Sequence, residues 1–350
     1  MGLARYTIRR LIQAVPVIVG IITITFFLTD AIPGDPVSIM LGPSPSAAQA
    51  EAIRAKYGLD QPLFIRYFNY LGDVSPIWLD TTARFPFVEP RFGVDLGRSI
   101  YYQVPVVQKI AERLPVTLLL LVSSFTFALL AAVPLGVISA KRRNKPVDHV
   151  SRVVALIGVS TPSFWIGLIL IIVFAFHLDV LPATDLIMPY ADPAEVEGAE
   201  TWVDVLVISG EHLLLPTLSL GTLQMAAITR IERSAMLENL GQDYVKLARA
   251  YGVKERTILR KHAFRPAQLP VITIVGLNMT QALGGAVLTE TVFSINGMGR
   301  LIITAIYNQD YPLVMGTTIF FGLMFVIGVI ITDISYAYVD PRVSYGDQEA

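Results

Sequence analysis

The chain has 350 residues, of which 53% are hydrophobic and 16% are charged, and its formal net charge is −1 at pH 7. Soluble domains carry about 25% charged residues, so the composition favours a membrane protein, and the near-zero net charge gives no electrostatic reason to expect nucleic-acid binding. The chain has no cysteine, which excludes disulfides, thiolate metal sites, iron–sulfur clusters and cysteine nucleophiles.

Six stretches of at least 18 residues contain no Asp, Glu, Lys or Arg. A charge at the membrane centre costs about 2.5–3.5 kcal/mol on insertion scales, and a spanning helix needs roughly 20 residues. We therefore predict an all-α membrane protein with six transmembrane helices. In chain order the six windows are Leu11–Thr29, Leu114–Ala140, Val153–Leu178, His212–Thr229, Pro266–Thr289 and Tyr311–Thr332.

The first window could also be a signal peptide, because Arg5, Arg9 and Arg10 precede it. Its apolar run exceeds the roughly 7–15 residues of a signal-peptide core, and Asp30–Pro33 does not look like a small-residue cleavage site. We therefore expect an uncleaved first helix.

Basic residues in the connections set the orientation of the spans. The segment Arg230–Arg265 has nine Lys and Arg residues, whereas Asp179–Glu211 has none and carries eight acids. This asymmetry predicts that both termini are cytoplasmic. The predicted organisation is a first helix with a long extracytoplasmic loop (1–112), a five-helix core (113–338) and a cytoplasmic tail (339–350), with an irregular excursion at Val74–Phe92.

The cytoplasmic loop before the fifth window contains the most informative motif, Gln242–Gly252. Tyr244, Leu247, Ala248 and Tyr251 follow the i, i+3, i+4, i+7 spacing of an apolar helix face. Gly252 stands where a helix often ends with a left-handed glycine. Two interpretations remain open: a helix that rests on lipid headgroups, or a short rigid helix that docks in a groove of another protein.

This loop resembles the EAA loop of binding-protein-dependent ABC importer permeases, in which EAA is followed after three residues by Gly. Ala248 and Gly252 match that pattern, whereas Lys246 stands where the acid would be and Pro266 follows one position later than the family's Leu-Pro. Further stretches resemble the dipeptide/oligopeptide/nickel branch, and specifically the first of its two permease types. They are Arg10-Leu11, Pro33–Pro36, Tyr57–Pro62, Asp95–Ser99, Leu288–Phe293, Gly297–Arg300 and Tyr338–Arg342.

The resemblance implies a type I ABC importer permease architecture in the plasma membrane of a prokaryote, with a coupling loop at about 236–266. The implied partners are a second homologous permease subunit, two cytoplasmic ATPase subunits, an extracytoplasmic binding protein and the lipid bilayer. The implied cargo is a di- or oligopeptide, with nickel or another small solute as the alternative. The residues expected to couple to the ATPase are Tyr244, Leu247, Ala248, Ala250, Tyr251, Gly252 and Val253.

The fifth window has two unusual faces. Gly276, Thr280 and Gly284 form a stripe of small residues suited to close helix packing. Four residues cluster on a different face, and they either line a substrate path or make interhelical hydrogen bonds. These four are Asn278, Gln281, Gly285 and Thr289.

Polar residues near the windows give little reason to expect chemistry. Asp30, Glu290 and Asp333 lie at window edges, so we expect them at the membrane–water interface. His177 and His212 do not have the spacing of a metal-ligand motif, and no cofactor or metal is expected.

The chain contains no G-x-S-x-G, H-E-x-x-H or P-loop motif, so hydrolysis of ATP would belong to another subunit. A stand-alone secondary transporter or a membrane enzyme remain the alternative classes.

Overall fold

A computed structural model of the chain describes residues 3–31, 46–56, 60–74, 77–79, 90–92 and 95–339. Helices dominate the described part, as predicted. The α-helices are α1 (Leu3–Ala31), α2 (Ala47–Lys56), α3 (Leu63–Val74), α4 (Val106–Lys141), α5 (Pro146–Ser160), α6 (Ser163–Leu170), α7 (Trp202–Leu240), α8 (Asp243–Ala250), α9 (Glu255–Thr257), α10 (Phe264–Val292), α11 (Met298–Tyr307) and α12 (Tyr311–Val339).

Three short segments complete the helical part. A π-helix, Ile171–His177, continues α6, and a second π-helix, Ile258–Ala263, joins α9 to α10. A 3₁₀ turn covers Pro193–Glu195. The predicted irregular excursion contains a small antiparallel strand pair, β1 (Ile77–Leu79) with β2 (Pro90–Phe92).

Within the described residues, four helical segments are long and apolar enough to cross a membrane: Thr7–Asp30, Val106–Lys141, Trp202–Leu240 and Tyr311–Thr332. A fifth is possible if α5 and the helix Ser163–His177, bent by 102° relative to each other, form one span. The window Pro266–Thr289 lies in the 29-residue helix α10, which is not among these segments. The predicted count of six spans is therefore not confirmed, and neither is the orientation of the termini.

The third window bends because of a proline. The charge-free run Val153–Leu178 predicted one span, but α5 ends at Ser160, and Thr161 is extended with φ −100° and ψ 125°. The ring of Pro162 disfavours a helical conformation at the residue before it. A new helix begins at Ser163.

The described chain divides into two compact units. The first contains residues 115–300 with the described parts of 1–11 and 324–350. In this unit α7 packs against α5, α6 and α10. The approach of α7 is close: a Cβ on Gly158 of α5 would lie 2.8 Å from the Ala226 Cβ. An apolar core cluster of this unit includes Leu120, Phe125 and Phe293.

The second unit contains residues 12–114 and 301–323. Here α12 packs against α1 and α4, since added Cβ atoms on Gly322 and Gly316 would meet Ile21 at 2.8 Å and Val106 at 2.5 Å. The buried Asp310 carboxylate accepts hydrogen bonds from the Ser99 hydroxyl and from the Tyr101 amide. These bonds tie the segment before α4 to the start of α12.

Candidate functional site

The candidate coupling helix α8 has well-formed ends. It follows Gln242, which is extended at ψ 152°. At the other end, the Val253 amide donates to the Ala248 carbonyl at 3.1 Å and the Gly252 amide donates to the Arg249 carbonyl at 2.9 Å. Together with φ +72° at Gly252, these two bonds form a Schellman motif. The left-handed glycine expected from the sequence is therefore present.

One buried side chain and one tyrosine hold α8 in place. Val245 is fully buried, and α8 packs against the π-helix Ile258–Ala263. The Tyr244 hydroxyl lies within hydrogen-bond distance of two acceptors, the Asn239 Oδ1 at 3.0 Å and the His262 carbonyl at 3.2 Å. The helix is thus fixed to the end of α7 and to the segment that enters α10.

The apolar face predicted from the sequence lies mainly on the outside. Leu247 is 57% exposed and Tyr251 is 78% exposed, and Tyr244 is 43% exposed. Ala248 is half-buried. The spacing correctly grouped these residues, but it missed Val245 as the residue that anchors the helix. The position four residues after Val245 is the charged Arg249, so Val245 does not continue an apolar i, i+4 series and gives no periodic signal.

The remaining predicted coupling residues surround the same helix end. Ala250 and Gly252 are exposed, and Val253 is half-buried. Among the described residues, no heavy atom would lie within 4 Å of a Cβ on Gly252. In the part of the chain that the structure describes, this end of α8 therefore has free space around it.

Ion pairs flank the exposed face. Arg249 donates two hydrogen bonds to Glu255, at 3.0 Å and 3.3 Å, and so joins α8 to α9. These bonds lower the pKa of the Glu255 carboxyl, because they stabilise its charged form. Lys246 contacts Asp243 at 2.9 Å and lowers the pKa of that carboxyl in the same way.

A buried ion pair lies on the helix that leads into α8. Arg233 of α7 contacts the Asp148 carboxylate of α5 through two nitrogens, at 2.6 Å and 2.9 Å. The Ser139 hydroxyl of α4 donates to the same carboxylate at 2.6 Å. Asp148 is fully buried, so this cluster joins α4, α5 and α7.

The neighbouring residue connects α7 to α10. Glu232 is fully buried, and the Gln268 amide donates to both of its carboxylate oxygens, at 3.1 Å and 3.0 Å. Sequence reasoning missed Asp148, Arg233 and Glu232 as a group, because a basic loop suggested solvated charges. Their burial depends on partners that are distant in the sequence.

The predicted polar face of α10 is only partly described. The half-buried Asn278 donates to the Gln224 Oε1 of α7 at 2.8 Å, which is the interhelical contact considered as the alternative to path lining. Thr289 is fully buried. The side chain of Gln281 and the surroundings of Gly285 are outside what the structure describes.

The stripe of small residues on α10 includes one close contact. A Cβ on Gly276 would clash with Thr332 of α12, as expected for close helix packing. The side chain of Thr280 and the surroundings of Gly284 are likewise outside what the structure describes.

Glu290 corrects a prediction. We expected it at the membrane–water interface, but it is fully buried. Its carboxylate accepts from the Thr117 hydroxyl at 2.6 Å and from the Arg300 amide at 3.0 Å, and Thr117 accepts from the Met298 amide at 2.8 Å. Glu290 therefore caps the start of α11, where a negative charge is favourable. The side chain of Asp333 lies outside the described residues.

The two histidines considered for metal binding each contact a backbone carbonyl. His177 Nδ1 donates to Ile172 at 2.9 Å, and His212 Nδ1 donates to Thr184 at 3.0 Å. Among the described residues, no group of three or more His, Asp or Glu is arranged to hold a metal ion.

Long apolar helices together with a short, exposed amphipathic helix are typical of a multi-spanning membrane protein. The chain belongs to the family of binding-protein-dependent transport system inner membrane components, whose model matches residues 132–345. A second model, for the N-terminal part of such membrane components, matches residues 3–120. The family works with a binding protein and with ATPase subunits, and the chain is a membrane transport subunit without its own ATPase.

The alignments with curated relatives cover nearly the whole chain. It is 38% identical over 343 residues to the oligopeptide transport system permease protein AppB of Bacillus subtilis, covering 98% of this chain and 100% of the relative. It is 37% identical over 341 residues to the probable D,D-dipeptide transport system permease protein DdpB of Escherichia coli, covering 95% of each. It is 34% identical over 352 residues to the dipeptide transport system permease protein DppB of Escherichia coli, covering 97% and 99%.

Proposed function

We propose that this chain forms part of the translocation path of an ATP-driven importer for di- or oligopeptides, which an extracytoplasmic binding protein delivers. The printed names of relatives that are 34–38% identical over nearly the whole chain support the peptide cargo. The exposed apolar face of α8 supports the ATP-driven mechanism, because it offers a contact surface to a separate ATPase subunit.

Binding and transport measurements distinguish the cargo alternatives. The complex is reconstituted in liposomes with its binding protein, and uptake of a dipeptide, a pentapeptide and nickel is measured with and without internal ATP. We expect ATP-dependent uptake of at least one peptide. Uptake of nickel alone would support the alternative cargo, and uptake without ATP would support a secondary transporter.

In the proposed complex, this chain pairs with a second homologous permease, and two ATPase subunits bind on the cytoplasmic side. Closure of the ATPases on ATP would push on Leu247, Ala248 and Tyr251. The rigid ends of α8, its buried Val245 and the packing on Ile258–Ala263 would carry that displacement into α7 and α10. Side chains that are locked by packing transmit a displacement, whereas mobile ones absorb it.

The docking role of α8 can be separated from the lipid-resting role by adding bulk. Ala248→Leu adds apolar area that a lipid surface accepts, whereas overpacking of a protein groove typically costs about 1–3 kcal/mol. We expect Ala248→Leu and Gly252→Val to leave insertion and permease pairing intact and to abolish substrate-stimulated ATP hydrolysis and uptake. Normal hydrolysis and uptake in both variants would favour the lipid-resting role.

We propose that the polar face of α10 lines the substrate path during part of the transport cycle. This face consists of Asn278, Gln281, Gly285 and Thr289. The half-buried position of Asn278 supports this role, although its bond to Gln224 also fits simple packing. Leu at both Asn278 and Gln281 should impair uptake more than assembly. Normal uptake with a low yield of complex would assign both residues to packing.

The orientation and the division of the chain remain proposals. We propose cytoplasmic termini, a first segment 1–112 with an extracytoplasmic loop, a core 113–338 and a tail 339–350. Single cysteines at Thr201 and Thr257 should be labelled from opposite sides of the membrane. If an impermeant reagent labelled Thr257→Cys in intact cells, position 257 would lie outside the cell, and the proposed orientation would be wrong.

A further inference from the structure

Helix α3 has three distinct faces around its axis. One face packs inward and contains Tyr67, Tyr70 and Val74, of which Val74 is buried and the two tyrosines are half-buried. A second face is exposed and polar, with Asn69 and Asp73. The third face is exposed and apolar. It consists of Phe64 (69% exposed), Ile65 (48%) and Phe68 (66%), and it is called the aromatic face below.

The inward face of α3 packs against the end of α1. The Tyr67 hydroxyl lies 2.7 Å from the Thr23 hydroxyl. The Tyr67 ring contacts the rings of Phe26 and Phe27, with both centroid distances at 5.5 Å, and the Tyr70 ring lies 5.7 Å from that of Phe26. The position of α3 beside α1 is therefore fixed by several independent contacts.

These contacts place α3 at the boundary of the membrane. Asp30 is the last residue of the span Thr7–Asp30, and Arg66 pairs with it at 2.9 Å. Charged groups at the end of a span lie in the headgroup region. Thr23 lies seven residues earlier, about 10 Å deeper at 1.5 Å per residue. Because Tyr67 reaches Thr23 while Arg66 reaches Asp30, α3 lies beside the last two turns of the span.

The helix that carries the aromatic face packs beside an exposed apolar stretch of the first span. On α1, Ile24 and Leu28 are 61% and 63% exposed, and they flank the stripe of Thr23 and Phe27 that contacts α3. An apolar stripe on a membrane span is suited to contact with hydrocarbon. Phe64 and Phe68 belong to the helix that is held beside this part of the span through Tyr67, at the level where aromatic side chains are enriched in membrane proteins.

We propose that α3 is an interfacial helix whose aromatic face inserts into the lipid bilayer at the Asp30 end of the first span. In this position Asn69 and Asp73 face the water, and the Arg66–Asp30 pair lies among the headgroups. An amphipathic helix of this kind lies in the plane of the interface, with its apolar side among the upper acyl chains. The long connection between the first two predicted spans would then be attached to the membrane at one defined point.

The absence of cysteine from the sequence allows the two exposed faces to be compared in the intact transport complex. Phe68→Cys and Asn69→Cys are neighbours on adjacent faces, and Phe64→Cys and Asp73→Cys form a second pair. Each variant is assembled into the full complex, labelled with an environment-sensitive fluorophore and reconstituted in nanodiscs. Quenching by aqueous iodide and by a phospholipid with a spin label near its headgroup is then measured.

We expect several-fold stronger quenching by the spin-labelled lipid, and several-fold weaker quenching by iodide, at positions 68 and 64 than at positions 69 and 73. Equal iodide quenching within each pair would overturn the proposal, because the aromatic face would then be open to water and available to a soluble partner. Protection of positions 64 and 68 from both quenchers would also overturn it, because another protein subunit would then cover the face.

Discussion

Two short amphipathic helices, α3 and α8, expose apolar side chains for different reasons. On α3 the exposed residues Phe64 and Phe68 lie on a helix that packs beside the end of a membrane span. On α8 the exposed residues Leu247 and Tyr251 are surrounded by charged side chains, including the Arg249–Glu255 pair. Exposure by itself does not identify the partner of an apolar face.

The contacts that hold the two helices in place also differ. Helix α3 is held by a cluster of aromatic rings and by the tyrosine–threonine contact near the boundary of the span. Helix α8 is held by one buried valine and by a glycine-terminated end that fixes its direction. The first arrangement suits a helix that stays in place on lipid. The second suits a short rigid helix that another subunit displaces.

The largest effect is expected at the ion pair between Asp148 and Arg233, which joins the helices that precede α8. Asp148→Ala leaves the partly exposed Arg233 without its carboxylate partner, and loss of hydrogen bonds to a charged group costs about 1.5–3 kcal/mol. Glu255→Ala breaks an exposed pair, for which about 0–1 kcal/mol is expected. Denaturant unfolding of the purified chain in detergent measures both. Equal losses of stability would show that the Asp148–Arg233 cluster does not support the loop.

A second comparison separates the anchor of α8 from its docking face. Val245→Ala removes the equivalent of two buried methylene groups, worth about 0.8 kcal/mol each, and leaves a cavity that adds to the loss. The free energy of unfolding should therefore fall by about 2 kcal/mol. Leu247→Ala changes an exposed residue and should shift stability by less than about 0.5 kcal/mol. Leu247→Ala should nevertheless reduce substrate-stimulated ATP hydrolysis of the complex. A large stability loss for Leu247→Ala with normal coupling would reverse the two roles.

A smaller effect is expected at the end of α8. Gly252 has φ +72° with open space around it, so Gly252→Ala introduces backbone strain of about 1–2 kcal/mol without a clash. Asn accepts the left-handed conformation more readily than other residues with a Cβ. Gly252→Asn should therefore recover much of the stability and coupling that Gly252→Ala loses. If both variants behave like the parent chain, the left-handed end is not needed.

The smallest effect is a pH dependence. The pKa of Glu255 is lowered by Arg249, so the pair stabilises the folded chain above the ordinary pKa of a glutamate. This contribution is lost as the pH falls through the lowered value. The difference in stability between the parent chain and Glu255→Gln should shrink on acidification below about pH 4.3, the ordinary pKa, and at high salt. A difference that grows on acidification would have the wrong sign for this pair.

The sequence predicted the features that depend on local order. The charge-free windows located the long apolar helices, and the spacing around Ala248 and Gly252 predicted a short helix with a left-handed end. Features that depend on distant partners were missed. Glu290 looked interfacial because it ends a charge-free window, yet its hydrogen bonds come from Thr117 and from the start of α11. The bend after Ser160 was missed because charge counting ignores the constraint that a proline imposes on the residue before it.

The central claim is that the exposed face of α8 contacts an ATPase subunit, and site-specific photo-crosslinking tests it most directly. A photoreactive amino acid is placed at Tyr251, which is 78% exposed, and separately at Phe68, which is 66% exposed, in the full complex in a native-like bilayer. We predict that the probe at position 251 forms a covalent adduct with an ATPase subunit and that the probe at position 68 reacts with lipid. Reaction of the probe at position 251 with lipid alone would contradict the account and would make α8 an interfacial helix like α3.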